Sequence, residues 1–236
     1  MNNHIDITFD LETCATTANA AVMQIAAVVW NRSAKENPFE IAIKGEKSDF
    51  IEESFDACVD LRTCVVDNFD FDQDTIRWWS EQNENAKSAV TEPEAVSIRA
   101  AFYNFIEWMK DVINGTEAKS VCLWCQGMDF DCAILKNVCN KYGLELPINC
   151  RMFRDSRTVI LEAALLHIQS AEYMYDSPKD NIVTVNVILQ NPSKAYQVIG
   201  KMPEEYGNKS SVHDAMYDCI RTSWNVWRAL QLIQKQ

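Results

Sequence analysis

Five residues have types and spacings that could do chemistry: Asp10 and Glu12 in HIDITFDLET, Asp131 in QGMDFDCAILKNV, and His213 and Asp218 in SSVHDAMYDCIRT. Carboxylate oxygens suit hard divalent cations, and an imidazole can accept a proton near neutral pH. In the first segment Ile5, Ile7, Phe9 and Leu11 alternate with Asp6, Thr8, Asp10 and Glu12, which is the two-residue period of a strand. Asp10 and Glu12 therefore share a face, and like charges that close need either open water or a cation. The plainer reading of this segment alone is a half-buried strand with a solvated face. A metal site needs more acids from elsewhere.

In the second segment a strand is expected to end at Gln126, turn at Gly127 and enter a helix. Helical spacing puts Asp131 with Ile134, Leu135, Val138 and Tyr142, and puts Asp129 with Ala133, Lys136 and Asn140. Asp131 should point inward, where a carboxylate must be paired or bound to metal. Asp129 reads as an N-cap or first-turn acid. In the third segment Asp218, Arg221, Asn225 and Arg228 form a polar stripe that an ordinary surface ion pair would explain. On a continuous helix His213 would lie roughly 140° from Asp218, so the two can serve one site only if His213 sits on the preceding loop or first turn.

The elements that must position these groups follow from pattern. Strands are expected at 4–11, 21–30 and 38–44, joined by short polar connections that suit antiparallel neighbours. Helices follow over DQDTIRWWSEQN and about 94–113, then a buried strand at 120–126, a helix at 130–142, a short strand at 150–153 and a helix at 157–169. Residues 170–210 read as irregular, with a candidate strand at NIVTVNVIL, and a last helix covers about 212–234. Antiparallel strands followed by strand–helix alternation predict an α/β fold with a mixed sheet, in one domain over 1–236.

Composition narrows the function classes. The net charge of −12 is unusual for a protein that handles nucleic acid, but residues 46–74 alone carry −8. That stretch, taken as 45–74, is expected to be a solvated acidic insertion. Arg151, Arg154 and Arg157 cluster in RMFRDSR, where guanidinium forks suit phosphate oxygens or a surface salt-bridge cluster equally. No GxGxxG or GxxxxGK[ST] phosphate loop occurs. Nine cysteines without a secretion signal read as free thiols, and the CLWC pair Cys122 and Cys125 lacks a second metal-binding partner motif. With no apolar run of membrane length, a cytoplasmic location away from membranes is expected.

Taken together, FDLET, FDCAIL and HDAMYD resemble, in order and setting, the three motifs of the DEDD exonucleases, and the H-x4-D form resembles the histidine-containing (DEDDh) branch. RWWSEQ and CRMFRDSRT are similar to phage-type exodeoxyribonucleases and related bacterial 3′-5′ exoribonucleases. The resemblance implies a ribonuclease-H-like fold in which Asp10, Glu12, Asp131 and Asp218 hold two divalent cations, Mg2+ or Mn2+, and His213 is the general base. It implies hydrolysis from the 3′ end of single-stranded nucleic acid, with DNA slightly favoured over RNA trimming. Trp78, Trp79 and Phe130, with Met128, are the candidates for holding a terminal base, and Arg154 and Arg157 for holding an adjacent phosphate. An aspartyl phosphatase would want a second aspartate at position 12 and has no use for H-x4-D. A catalytically inactive nuclease-like interaction module would not need all five groups.

Overall fold

The computed structural model describes residues 4–33, 54–91, 94–116, 120–172, 184–200, 202 and 213–234. Five strands form one sheet, β1 (His4–Thr13), β2 (Val22–Trp30), β3 (Ser54–Cys58), β4 (Ser120–Cys125) and β5 (Phe153–Asp155), in the order β3-β2-β1-β4-β5. β1 to β3 run antiparallel, while β4 and β5 add in parallel to β1. This is the expected mixed sheet, antiparallel strands first and parallel strands after. The expected strand at 38–44 lies outside the described residues.

The acidic insertion needs correction. Residues 54–58 are the edge strand β3, with Phe55 and Ala57 packed against the core, and Leu61–Val66 form a helix, α1. Short alternation of SFDAC inside a run of acids hid this strand, because charge density was given more weight than the two-residue period.

Helices cover both faces of the sheet. Beneath one face lie α4 (Ile98–Gly115) and α5 (Asp131–Tyr142), whose Phe102, Phe105, Ile106, Ile134, Leu135 and Val138 pack on Ile5, Ile7, Phe9, Leu11 and Leu123. α4 starts at 98 rather than 94 because Val96 is taken into a bridge, its carbonyl accepting from Asp60 N at 2.8 Å, and Ser97 then caps Ala100 N. Two short helices, α2 (Gln73–Ser80) and α3 (Glu84–Ala89), precede it. On the other face α9 (Ala215–Gln234) lays Ala215, Cys219, Trp224 and Val226 against Ala26, Val28, Trp30 and Trp124. α6 (Ser156–Glu172) and α8 (Ala195–Ile199) complete that layer through Ile160, Ala163, Ala164 and Ile199.

Two further expectations fail locally. NIVTVNVIL is helical where described, as α7 (Val185–Gln190), because Thr184 Oγ1 accepts from Val187 N and caps a turn that β-branched residues would otherwise resist. Residues 184–200 are thus ordered as short helices rather than irregular. CLWC makes no site, since residues three apart on a strand face opposite ways: Cys122 enters the α9 layer and Cys125 the α5 layer. None of the nine cysteines is in a disulfide.

Phe105 is fully buried, with its ring 6.1 Å from Phe9, 5.6 Å from Phe55 and 6.0 Å from Trp108. Phe105→Ala should cost about 3–5 kcal/mol in urea unfolding. Tyr103→Ala, on the exposed side of the same helix, should shift stability by less than about 0.5 kcal/mol. Equal losses would contradict this placement of α4.

Candidate active site

β1 is covered on both sides, so Asp6, Thr8 and Glu12 on its polar face are buried and Asp10 is half-buried rather than freely solvated. What matters is how each polar group on that face is satisfied. Asp6 accepts from Arg32 and from Trp124 Nε1 at 2.7 Å, and Thr8 Oγ1 accepts from Trp30 Nε1 at 2.9 Å. Asp10 and Glu12, further along the same face, have no such donor among the described residues. Both lie toward the C-terminal end of β1, the end at which β4 also stops and at which open α/β sheets bind ligands.

Three loops bring the remaining groups to that end. After β4, Gly127 takes a φ of +130°, and a Cβ there would stand 2.9 Å from Arg157 Nη1, so the turn requires glycine. Its carbonyl accepts from Asp131 N at 3.1 Å and opens α5 with Asp131 facing inward, 3% exposed. Asp129 is exposed and does not cap; Phe130 occupies the N-cap position. Before α9, His213 has a φ of +71°, which takes it off the helix and resolves the angular mismatch with Asp218. One donor atom from each of Glu12, His213 and Asp218 lies within 4.8 Å of the others.

A residue the sequence reading passed over holds this corner. Gln24, opposite Glu12 in the β1/β2 register, is buried. Its Oε1 accepts from Ala215 N at 3.0 Å, and its Nε2 donates to Asp56 Oδ1 at 3.0 Å and Asp214 Oδ1 at 3.2 Å. The start of α9, and with it the His213 loop, is thereby pinned to β2 and β3. A lone amide within VMQIAAVVW was the available signal.

The acids repel one another. Burial raises the Asp10 carboxyl well above its ordinary range, and Asp131, Glu12 and Asp218 add to the rise. Glu12 is pushed up to about 8 by burial and by Asp218, Asp214 and Asp131. Burial also lifts Asp131 to about 7, against the pull of Arg157. Asp218 is raised by burial, with Arg221 and His213 opposing. Arg221 Nη2 approaches Asp218 Oδ1 to 2.9 Å without hydrogen-bond geometry, so that buried oxygen has no hydrogen-bond partner among the described residues. Buried, oxygen-rich and short of donors, the cluster fits hard divalent cations. His213 is lowered by burial, with Asp218 pulling it back up and Arg221 adding to the fall, which favours the neutral ring.

A second group of possible ligands, His4, Asp6 and Cys122, does not fit a metal as well, because Arg32 and Trp124 already occupy the Asp6 oxygens.

Beside Glu12 a cleft of about 520 Å³ is lined by Leu11, Thr13, Thr16, Trp78, Trp79 and Phe130. Trp78 is 41% exposed and its ring centroid lies 4.6 Å from that of His213, edge to face. Trp79 is buried, and its Nε1 donates to Thr13 O at 2.9 Å, which anchors the end of β1. Of the two, Trp78 offers the ring and Trp79 belongs to the core. Arg157 lies over Gly127 and acts on Asp131. Arg154 turns back on its own backbone, its Nη1 donating to Arg151 O at 2.6 Å and Phe153 O at 2.8 Å. Met128 and Tyr217 are half-buried.

Comparison with known proteins gives one family match: residues 5–184 fit the family described as 3′-5′ exoribonuclease Rv2179c-like domain. The match contains Asp10, Glu12 and Asp131 and ends before His213. A search of curated proteins found no match. Several solved structures are similar, two of them nucleases. Cell-death related nuclease 4 (CRN-4) is 15% identical with a TM-score of 0.48, over 100% of this chain and 66% of that one. The nuclease domain of 3′hExo, a DEDDh family member, bound to rAMP, is 15% identical with a TM-score of 0.48, over 98% of this chain and 92% of that one.

The raised carboxyls predict a coupling between protons, metal and stability. Each binds a proton in the folded chain at pH values where the unfolded chain has lost it, so without metal stability should fall as pH rises from about 4.5 through 8. Metal must displace those protons and should bind more tightly at the alkaline end. In thermal unfolding, Mn2+ should raise Tm more at pH 8 than at pH 6, and Asp10→Asn should remove most of the difference. An equal shift at both pH values would contradict the assignment.

Proposed function

Because the chain belongs to the Rv2179c-like 3′-5′ exoribonuclease family, we propose that it is a divalent-metal-dependent 3′-5′ exonuclease acting on single-stranded RNA ends. The observation that carries the proposal is the meeting of Glu12, His213 and Asp218 within 4.8 Å of one another, with Asp10 and Asp131 near enough for the charges of the acids to raise one another. The expected lean toward DNA gives way here to RNA, on the strength of the family's description.

Asp10, Glu12, Asp131 and Asp218 would hold two ions, Mg2+ or Mn2+. When bound, such ions supply the positive charge that polarises a phosphodiester and stabilises its attacking and leaving oxygens. The protein's own groups supply the rest. His213 takes the proton of the attacking water on its unprotonated ring nitrogen, a role that its burial favours by keeping the ring neutral. Trp78 and Phe130 receive the terminal nucleoside in the cleft beside Glu12, where an exposed ring can stack on a base. Because Trp78 also packs edge-on against His213, a base seated on Trp78 orders the ring that must accept the proton. Arg157 is placed to meet an adjacent phosphate. The cleft of about 520 Å³ beside Glu12 has room for a terminal nucleoside, which suits removal of nucleotides from an unpaired end.

With 5′-labelled RNA and DNA oligomers and Mn2+, the expected product is a ladder shortening from the 3′ end, faster on RNA and absent in Asp10→Asn. His213→Ala should lower kcat by about 10²–10⁴ while Mn2+ binding persists. For the wild type, kcat/KM should fall as pH drops through the His213 pKa, which lies below the ordinary 6.5, because protonation removes the base. Internal cleavage, or unchanged turnover in His213→Ala, would contradict the proposal.

A further inference from the structure

Beyond the carboxylates, away from the Trp78 cleft, two cavities of about 380 and 340 Å³ adjoin, sharing Gln126 and Tyr196. Arg221 and Asn225 of α9 line the first, and Arg157 and Ile160 of α6 line the second. Each is large enough for part of a nucleotide. α8, which carries Tyr196, is tied to α9 by Arg228 Nε donating to Ile199 O at 3.2 Å, and Tyr196 also packs on the Ile160 layer. Tyr196, Arg221 and Asn225 all lie past residue 184, where the family match stops.

The chemistry of this lining is that of a phosphate site. Arg157 rests its guanidinium flat against Gly127, and Arg221 comes in from the Asp218 side. Burial raises the Tyr196 hydroxyl, with a smaller push from Asp155, while Arg157 and Arg221 pull it down, as expected of a phenol near both guanidiniums. Gln126 Oε1 accepts from Thr222 Oγ1 at 3.3 Å, which assigns its NH2 group as a donor. A neutral cavity would not need two cations; an acidic chain of net charge −12 that must hold a polyanion needs them close to the strand. Both arginines also act on the carboxylate cluster, Arg157 on Asp131 and Arg221 on Asp10, Glu12 and Asp218, so the groove begins where the scissile phosphate would lie.

We infer that this groove binds the internucleotide phosphate immediately upstream of the scissile one, with Tyr196 Oη and Gln126 Nε2 donating to it between Arg157 and Arg221. The strand then crosses the carboxylates, with its last nucleoside on Trp78 and its preceding phosphate against Tyr196. This deepens the exonuclease proposal and rests on it.

The test is a four-way cycle. Wild type and Tyr196→Phe, which keeps the ring and its packing, are compared on two 5′-labelled oligomers. One has a phosphodiester at the linkage before the scissile one; the other has a methylphosphonate there, on a 2′-deoxy sugar. Loss of a hydrogen bond to a charged oxygen should lower kcat/KM about tenfold on the first. On the second the same substitution should cost less than about twofold, because the charged partner is already gone. Equal losses on both oligomers, or none on either, would overturn the inference while leaving exonuclease activity intact. If wild type shortens neither, the exonuclease proposal fails by itself. Fluorescence anisotropy of the same four pairs with Ca2+ then decides the groove: a Kd that Tyr196→Phe weakens only for the phosphodiester supports it, and four equal values refute it.

Discussion

Four carboxylates gathered where little water reaches them cannot all stay ionised unless positive charge joins them. Much of this fold serves to impose that condition. Asp10 and Glu12 are two residues apart on a strand buried on both faces, Asp131 enters on the first turn of α5, and Asp218 on the first turn of α9. The protein answers the same burial differently along one strand: Asp6 receives Arg32 and Trp124, Thr8 receives Trp30, and Asp10 and Glu12 receive no comparable donor among the described residues. That contrast, within a distance of six residues, separates polar groups satisfied inside the protein from the acids proposed to hold cations.

Position follows from a few backbone choices. Gly127 permits the turn that aims Asp131 inward and lets Arg157 lie against the chain. His213 leaves the helical path and reaches Glu12 and Asp218, and Gln24 holds the start of α9 to the sheet so that this loop has a fixed origin. The aromatic pair divides its work: Trp79 anchors the end of β1 through Thr13 O, and Trp78 stands open beside His213. Acid cluster, His213 and the Trp78 ring are therefore linked through one corner of the sheet.

Much of this was legible in the sequence because it is periodic or local. Alternation placed β1 and the pairing of Asp10 with Glu12, helical spacing turned Asp131 inward, and angular mismatch meant that His213 could share a site with Asp218 only from the loop or first turn. The parts that were missed depend on contacts between distant segments. β3 was hidden by its acids, although Phe55 and Ala57 carry the two-residue pattern; α7 depends on a cap from Thr184; and the α9 stripe of Asp218 and Asn225 looked like a surface until the sheet was laid against it. Arg154 and Arg157 are indistinguishable by type, and only the packing of Gly127 tells which one faces the acids. Gln24 and Tyr196 draw their meaning from partners far along the chain, which no window of sequence contains.

Anomalous diffraction from crystals soaked in Mn2+ tests the central claim most directly. Two peaks bridged by Asp10, Glu12, Asp131 and Asp218, and lost in Asp10→Asn, are the predicted result. A map with no manganese among these side chains, or with the ion held at His4 and Cys122 instead, would contradict the account.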